Sequence, residues 1–567
     1  MSRVADTYEA IAASGRSEVF LTLRPQHEVE ADYRASLAAE GPLAGQILAV
    51  KDNVDVAGLP TTAACPGYAY TPERDAAAVA ALRAAGAVVI GKTNLDQFAT
   101  GLVGTRSPYG AVRDSARPEH ISGGSSSGSA VAVALGFADI AIGTDTAGSG
   151  RVPAGLQGIV GIKATVGVVS TGGVVPACES YDCVTIFARD LVNAENAMAV
   201  MAGGAPGRAW PANIAVAAPP TARVAIPAEL PALDDAWRAA FARVVARLDE
   251  LGIETVPVDL TPFLAAARLL YDGALVAERW DAVGDFVWNA GPQAGIDDTV
   301  GSIISGGGRF GAADLLRDRR RVAELRAEAL ASLHGCDALL VPTAPAHPTI
   351  AEVAADPIGV NSRMGTYTNF CNLFDMCAVA IPAGTVDEGA RGVAQFGVTL
   401  LAPAFGDAVV ADLARAVVVV DRAMPSWPER AGAPTCELAV FGAHLRGQPL
   451  ESELTGRGAR WAGEVRTAPQ YRLKALDTTP TKPGLLRTES GGAAIAGERW
   501  VLSPAALGAF LAALPAPMML GSVELDDGTW ITGFGCDHAA GLGGEDITAH
   551  GGWVAARAGV GAARGVR

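Results

Sequence analysis

Two serines and one lysine stand in segments whose composition suits acyl-transfer chemistry. They are Ser125 in SGGSSSGS (122–129), Ser149 in GTDTAGSGR (143–151) and Lys51 in AVKDNVDVAGLPTT (49–62). Serine alone is a weak nucleophile and needs a base within hydrogen-bond reach. GTDTAGSGR has no histidine nearby, so the base for Ser149 must come from another part of the chain.

Lys51 can supply this base. It sits at the end of the apolar run QILAVK, where burial would remove water from its amine. Desolvation disfavours the charged ammonium and lowers a lysine pKa, by as much as about 3–5 units in extreme cases. An amine that is neutral near pH 7 can act as a general base. The pattern therefore predicts a serine nucleophile that is activated by a lysine.

Thr146, Ala147 and Gly148 lead into Ser149 through a turn that contains glycine. Glycine lets the backbone approach a substrate closely, and successive N–H groups in such a turn can converge on one oxyanion. Each segment alone has an ordinary explanation, because a Gly/Ser loop is usually only a turn and a lysine at a strand end usually points to water. The combination of the segments is what predicts an oxyanion hole at residues 146–148.

Two segments match well-known functional motifs, but their neighbouring residues do not suit those functions. GAVVIGKT (86–93) fits the phosphate-loop pattern, but its middle residues AVVI are typical of a buried strand and not of a phosphate-binding loop. GSSSG (124–128) fits the nucleophile-elbow pattern around Ser126, but an elbow follows a strand directly, and the preceding DSARPEHISG is turn-forming. We therefore expect neither nucleotide binding nor a hydrolase elbow.

The composition limits the class of protein. The chain has 567 residues, of which 50% are hydrophobic and 18% charged, and its formal net charge is −16. Such an acidic chain is a poor candidate for non-specific binding to nucleic acid or anionic membranes. The N-terminal segment lacks a signal-peptide core, no apolar run is long enough to span a membrane, and the eight cysteines lack zinc-site spacing. We expect a cytoplasmic protein with reduced thiols and no metal site.

Alternating helix-like and strand-like segments must position the chemistry. This alternation predicts an α/β protein with a sheet covered by helices on both faces. ADLLRDRRRVAELRAEALASLHG (313–335) is predicted as a long helix whose RDRRR run faces solvent. Residues 1–40 are predicted as helical, and the segments that follow are predicted as strand QILAVKDNVDV, helix AAAVAALRAAG, strand AVVIGKTN, helix GSAVAVALG and strand DIAIGTDT.

A proline-rich segment, MPSWPERAGAPTCE, marks a boundary near the C-terminus. The region beyond it contains strand-like pieces, and LDDGTW reads as a hairpin turn between two of them. The predicted organisation is a large domain at 1–425, a linker at 426–437, a smaller domain at 438–557 and a tail at 558–567.

Taken as one frame, the Lys51 segment, the Ser125 segment and the Gly-Thr-Asp-x-x-Gly-Ser-x-Arg segment resemble the amidase signature family over most of the large domain. The resemblance implies a mixed central sheet covered by helices on both faces. It implies Lys51 as the base, Ser149 as the nucleophile that forms the acyl-enzyme, and Ser125, after a cis peptide bond, as the proton relay. Asp145 and Arg151 match the frame as residues that hold the loop.

Further segments resemble those of allophanate hydrolases, among them YDGALVAERW, GTYTNFCNLFDMCAVAIP, VFGAHLRGQPLESELTGRGA and AHGGW. Allophanate is a small carboxylated urea, and an arginine fork suits its carboxylate. The resemblance implies that Tyr271 and Arg279 bind this carboxylate. Eight residues apart on one helix, these side chains would share a face. The implied reaction releases ammonia and leaves N-carboxycarbamate.

The C-terminal region resembles the γ-glutamylcyclotransferase-like domain of the same enzymes, a small α+β fold implicated in decarboxylating N-carboxycarbamate. His444, in GAHL, matches the histidine implicated there, although an isolated histidine of this kind is more often structural. Decarboxylation needs only a polar pocket and a proton source, so no cofactor is implied. The products overall would be ammonia and CO₂.

The chain lacks a biotin-attachment-like AMKM sequence, so its allophanate would come from a separate urea carboxylase or from s-triazine breakdown. The family resemblance implies a homodimer formed through the larger domain.

Two alternatives to this function stay open. One is an amidase acting on another small amide or on glutamine, like the glutaminase-type component of tRNA-dependent amidotransferases. The other is a scaffold protein with an inactive core, against which the intact Lys51, Ser125 and Ser149 argue.

Overall fold

The computed structural model describes residues 2–479 and 481–564 and divides the chain into two units. The first unit is built from Met1–Ala209 and Thr221–Val420, and the second from Trp210–Pro220 and Asp421–Arg567. Residues 210–220 therefore belong to the second unit, whereas the sequence predicted them as part of the large domain.

The strands of the first unit form one mixed sheet. In space, the strands of this sheet follow the order β1-β3-β2-β4-β6-β5-β10-β11-β9-β7-β8. The β3-β2-β4 and β9-β7-β8 neighbours are parallel, and the remaining pairs are antiparallel. The strand bounds are β1 (Phe20–Leu23), β2 (Ile47–Lys51), β3 (Val88–Thr93), β4 (Ile140–Asp145), β5 (Val160–Lys163), β6 (Cys183–Ala188), β7 (Arg223–Pro227), β8 (Glu254–Val258), β9 (Ala338–Pro342), β10 (Met376–Asp387) and β11 (Val393–Pro403). The α/β class with a mixed central sheet is confirmed.

Helices connect these strands. Their bounds are α1 (Arg3–Ser14), α2 (Gln26–Ala39), α3 (Ala77–Ala84), α4 (Ser127–Ala134), α5 (Val152–Gln157), α6 (Leu191–Gly204), α7 (Asp235–Glu250), α8 (Thr261–Asp272), α9 (Ala277–Asn289), α10 (Asp298–Gly307), α11 (Ala312–Ser332), α12 (Ile350–Ala355), α13 (Gly359–Met364), α14 (Phe370–Leu373) and α15 (Asp407–Val418). The helices and strands predicted around the serine and lysine segments are present, and GAVVIGKT does contain a buried strand, β3.

Two parallel neighbours in the sheet carry the residues of interest at their carboxyl ends. β2 is the run ILAVK, which is buried throughout, and it pairs in parallel with β4. Lys51 is the last residue of β2 and Asp145 the last residue of β4. Because the carboxyl ends of parallel strands meet at one edge of a sheet, both residues come to the same edge.

The second unit contains a five-stranded and a three-stranded sheet, in the orders β13-β16-β12-β18-β17 and β15-β14-β19. β17 and β18 pair as the hairpin expected around LDDGTW. The strands are β12 (Cys436–Val440), β13 (Arg460–Arg466), β14 (Tyr471–Ala475), β15 (Pro483–Arg487), β16 (Ala496–Leu502), β17 (Met518–Glu524), β18 (Trp530–Cys536) and β19 (Glu545–Asp546), and the helices are α16 (Trp427–Arg430), α17 (Glu451–Thr455), α18 (Pro504–Ala513), α19 (His538–Gly543) and α20 (Trp553–Arg564).

Three further expectations concern the tail, the thiols and membrane-spanning helices. Helix α20 continues through Arg564, so part of the predicted tail at 558–567 is helical; residues 565–567 lie outside the described residues. The cysteines are all free thiols, as expected. No helix among the described residues combines the length and the apolar character needed to cross a membrane.

Candidate active site

Lys51 lies at the carboxyl edge of the sheet with its amine among hydroxyl groups. The side chain is fully buried, and Nζ lies 2.8 Å from Ser125 Oγ and 2.7 Å from Thr144 Oγ1. Burial lowers the pKa of Lys51 to about 7, against the opposing charges of Asp96, Asp182 and Asp145. A substantial fraction of the amine is therefore neutral near pH 7 and able to accept a proton.

Ser125 stands just before helix α4, and the Gly124–Ser125 peptide bond is cis, as the family resemblance implies. The start of the helix is fastened to strand β4 by the next residue. Ser126 Oγ donates to Thr144 O at 3.1 Å and accepts from Thr144 N at 3.2 Å. Its hydroxyl is occupied on both sides, which agrees with the expectation that the GxSxG match at Ser126 is not a nucleophile elbow.

The turn that carries Ser149 is shaped by a buried ion pair. The Asp145 carboxylate accepts two bonds from the Arg151 guanidinium, at 2.9 and 2.8 Å, and one from the amide of Gly150 at 3.0 Å. Burial would raise the pKa of this carboxyl, but the adjacent guanidinium charge keeps it below the ordinary value. The prediction that Asp145 and Arg151 hold the loop is confirmed by these bonds.

The turn itself presents Ser149 at 3% exposure, beside Thr146 and Ala147, which are also buried. Gly148 has a φ of +130°, and a Cβ at this position would lie 2.3 Å from Thr368 Oγ1, so the turn requires glycine. The amide of Gly148 donates to Asp145 Oδ1 at 2.9 Å. Gly148 was expected to donate to the oxyanion, but its N–H is occupied by the Asp145 carboxylate, so that expectation is wrong. The amides at 146 and 147 stay predicted donors.

Arg279 and Tyr271 lie together, although not on one helix. Tyr271 belongs to α8 and Arg279 to α9, and residues 273–276 break the helix between them. The prediction that they share the face of a continuous helix is therefore wrong, yet the Arg279 guanidinium lies 5.5 Å from the centre of the Tyr271 ring. The two side chains therefore meet from two separate helices, α8 and α9, and not from one face of a single helix.

Arg279 is 2% exposed, and one of its two terminal nitrogens is available to a ligand. Nη1 donates to Thr100 Oγ1 at 3.0 Å, while Nη2 is buried and has no hydrogen-bond partner within the described part of the chain. The charge of Arg279 lowers the pKa of Lys51, so the two cations are close enough to interact. A buried guanidinium nitrogen without a partner is costly unless a ligand supplies one.

His444 lines a cavity of about 320 Å³ in the second unit. Its ring stacks on Phe534 at 4.9 Å, and Nε2 lies 3.1 Å from Glu453 Oε2. Burial lowers the pKa of His444, and the Glu453 carboxylate opposes that shift. Arg457 and Lys482 also line the cavity, so two cations and one carboxylate face a largely apolar space.

Sequence reasoning missed several partners of these side chains. Thr144 could have been found, because it is the penultimate residue of β4, a strand parallel to that of Lys51, and the two carboxyl ends had to meet. Asp182, which accepts from the Thr146 hydroxyl, and Thr100, which accepts from Arg279, carried no signal in the sequence. Each is joined to its partner only by the folded topology.

Comparison with known proteins gives two matching family models. The amidase family model matches residues 9–410, and the model of the allophanate hydrolase C-terminal domain matches residues 436–558. Both resemblances noted in the sequence are confirmed by these matches.

Individual relatives extend this result. A urea amidolyase of Lachancea kluyveri is 43% identical over 542 residues, which cover 90% of this chain but only 29% of that protein. The urea amidolyase of Saccharomyces cerevisiae is 41% identical over 544 residues, which cover 91% of this chain and 29% of that protein. The structure of Kluyveromyces lactis allophanate hydrolase matches with a TM-score of 0.87 and 38% identity, covering 99% of this chain and 97% of that chain.

Proposed function

The chain belongs to the amidase family and carries an allophanate hydrolase C-terminal domain, and from this premise we propose that it hydrolyses allophanate with Ser149 as the nucleophile. The observation that carries the proposal is the 2.8 Å contact between the buried Lys51 amine and Ser125 Oγ. The likeness to an allophanate hydrolase over 97% of that chain supports the choice of substrate.

The first step uses the neutral form of Lys51. Its amine takes the proton of Ser125, which takes the proton of Ser149 as Ser149 Oγ attacks the amide carbon of allophanate. The oxygen that becomes negative is stabilised by the backbone amides of residues 146 and 147. The proton then returns along the same path to the leaving nitrogen, and ammonia departs from the acyl-enzyme.

Water completes the first reaction by the same path in reverse. Lys51 and Ser125 accept a proton from the attacking water, and Ser149 regains its proton as the acyl group leaves. Allophanate plus one water thus gives N-carboxycarbamate and ammonium, with atoms and charge balanced. The path needs no group beyond the side chains named here.

Arg279 and Tyr271 hold the substrate carboxylate in this proposal. The unpartnered Nη2 of Arg279 suits one carboxylate oxygen, and the charge of Arg279 acts on Lys51, whose amine begins the proposed proton relay. The Tyr271 ring, 5.5 Å from the guanidinium, limits where that guanidinium can move. A substrate without a carboxylate would leave the arginine nitrogen buried and unpaired.

The second step is proposed to occur in the His444 cavity. N-carboxycarbamate carries two carboxylates, and Arg457 and Lys482 supply two opposing charges in a space of about 320 Å³. Protonation of the central nitrogen by His444 lets the N–C bond break, which releases CO₂ and leaves carbamate. Carbamate takes up a proton and decays to ammonia and a second CO₂.

We also propose a homodimeric, cytoplasmic protein that works with a urea carboxylase. The free thiols support a reducing compartment, and the match to 29% of a urea amidolyase supports the link to urea breakdown. Light scattering across a range of protein concentrations tests the dimer: a constant monomer mass would contradict it.

An ammonia assay with allophanate, glutamine and a simple aliphatic amide side by side tests the proposed activity. We expect allophanate to be preferred by at least about a hundredfold in kcat/KM, because its carboxylate is separated from the reacting amide by a single atom and can reach Arg279, whereas the carboxylate of glutamine lies farther from its amide and the aliphatic amide has none. Equal or faster turnover of glutamine would overturn the proposal. Absence of Ser149 labelling by a fluorophosphonate probe, in folded protein, would favour the scaffold alternative.

A further inference from the structure

The relative position of Tyr271 and Arg279 depends on the break between helices α8 and α9. α8 ends at Asp272, a 3₁₀ turn spans Ala274–Val276, and α9 begins at Ala277. A short break of this kind has few internal hydrogen bonds, so its angle is set by the residues that bind to it.

Asp318, on helix α11, binds the beginning of the break. Its Oδ2 accepts from the amide of Ala274 at 2.6 Å. Gly273 permits this approach, because a Cβ there would lie 2.6 Å from Asp318 Oδ2 and 2.8 Å from Leu269 O. The carboxylate thus satisfies an amide that the interrupted helix leaves without a partner.

Arg319, the next residue on α11, binds the end of the break. Its Nη2 donates to Glu278 Oε1 and to Ser180 Oγ, both at 2.9 Å, and the amide of Ser180 donates to Glu278 Oε2 at 2.9 Å. Glu278 immediately precedes Arg279, and its side chain is only 11% exposed. One arginine therefore ties the start of α9 to the loop that contains Ser180.

That loop continues to the turn of the nucleophile. Asp182 Oδ2 accepts from the amide of Ala177 at 2.8 Å, and Asp182 Oδ1 accepts from the hydroxyl of Thr146. The contacts of Arg319 thus connect the helix that carries Arg279 with the turn that leads to Ser149. The connection runs through hydrogen bonds between side chains and backbone that are all present in the structure.

We propose that Asp318 and Arg319 are positioning residues, which together fix where Arg279 holds the substrate carboxylate relative to Ser149. This inference rests on the proposed function. The four arginines of the RDRRR run are exposed, as expected, but one of them also binds a residue of another helix. Arg317 does behave as expected, since it pairs with Asp314 on its own helix, but Arg319 reaches across to Glu278.

The variants Arg319→Ala and Asp318→Ala test the inference, with Arg317→Ala as the matched control. The substrates are allophanate, malonamate, which carries a carboxylate beside an amide, and the neutral malonamide. We expect KM for allophanate and malonamate to rise about tenfold in both variants while kcat falls less than about threefold, because the carboxylate contact is misplaced and the nucleophile is not. Malonamide kinetics should stay unchanged, as should all kinetics of the control.

Asp318→Asn keeps an oxygen that can accept from the Ala274 amide, so it should restore KM to within about twofold of wild type. Hydrogen exchange supplies a readout apart from activity: amides at 273–279 should exchange faster in Asp318→Ala than in Arg317→Ala. Unchanged exchange and an unchanged preference for carboxylate substrates in both variants would overturn the inference. A wild-type enzyme without that preference would instead overturn the proposed function, and the inference with it.

Discussion

The candidate site in the first unit and the His444 cavity in the second hold their polar groups in different ways. Lys51 and Ser125 are both 0% exposed, and the lysine amine lies within hydrogen-bond distance of two hydroxyls. His444 instead faces a cavity of about 320 Å³ with largely apolar walls, and its partner Glu453 has a side chain that is 47% exposed. One region is filled with polar contacts, and the other is an open space.

The difference matches the two proposed reactions. A proton that must pass between side chains needs them at short, fixed distances, and in the buried first site the Lys51 amine lies 2.8 Å from Ser125 Oγ. Loss of CO₂ from a dianion needs charge complementarity and one proton, so a roomier pocket is sufficient. We therefore expect substitutions in the first site to have larger effects than substitutions in the second.

The largest expected effect comes from the packed site. Lys51→Met and Ser149→Ala should each lower ammonia release from allophanate by about a thousandfold or more, because the relay loses its base or its nucleophile. Steady-state ammonia assays measure this, and thermal unfolding checks that the variants fold. Ser127→Ala is the matched control: its hydroxyl makes a long bond to Asn94 O, at 3.4 Å, and activity should stay within about threefold. A similar loss of ammonia release in Ser127→Ala would show that the effect is not specific to Lys51 and Ser149.

Arg279 should give the next largest effect, and two substitutions separate its roles. Arg279→Met should raise KM for allophanate about a hundredfold, whereas malonamide should be affected much less. Because the Arg279 charge lowers the pKa of Lys51, its removal raises that pKa and should move the acid limb of kcat/KM, near pH 7 in the wild type, to higher pH. Arg279→Lys keeps the charge, so the acid limb of its kcat/KM profile should stay near pH 7, while its KM for allophanate still rises. An unmoved limb in the methionine variant would contradict the proximity of the two cations.

A smaller effect is expected in the open cavity. His444→Ala should slow CO₂ release about tenfold while the first ammonia is released within about twofold of the wild-type rate, because the two steps use different side chains. Separate assays of CO₂ and ammonia measure the ratio. His538→Ala replaces an exposed histidine of the same unit and should change neither product. Equal slowing of both products by His444→Ala would mean that the two regions do not work separately.

The smallest effect should come from Glu453. Its carboxylate opposes the downward shift of the His444 pKa, so Glu453→Gln should lower that pKa further and reduce the protonated fraction at pH 7. CO₂ release at pH 7 should fall a few-fold and recover as the pH is lowered. NMR titration of the His444 ring measures the pKa directly, and Glu451→Gln on the same helix serves as the control. A His444 pKa that rises in Glu453→Gln would refute the assignment.

The sequence predicted the framework of the site because its elements are locally encoded. A buried run ends at Lys51, another ends at Asp145, and a glycine-rich turn follows, so the strands and their ends could be expected. The break at Gly273 could not be predicted, since YDGALVAERW keeps helix-like spacing and the amide of Ala274 is satisfied by Asp318 from a distant helix. The bond from Gly148 to Asp145 was missed for a related reason: sequence spacing does not tell where each amide of a turn points.

Residues 210–220 belong to the second unit although they interrupt the sequence of the first, so shortening the gene at one end does not separate the two units. Val216 N donates to Gly458 O at 2.8 Å, and the Trp210 ring lies 5.7 Å from that of Trp427. The contacts of residues 210–220 are therefore made with residues more than 200 positions later in the sequence. A stop codon placed near position 430 would leave the stretch without them. A clean separation of the two halves therefore calls for an internal deletion or replacement at 210–220 as well as a shortened end.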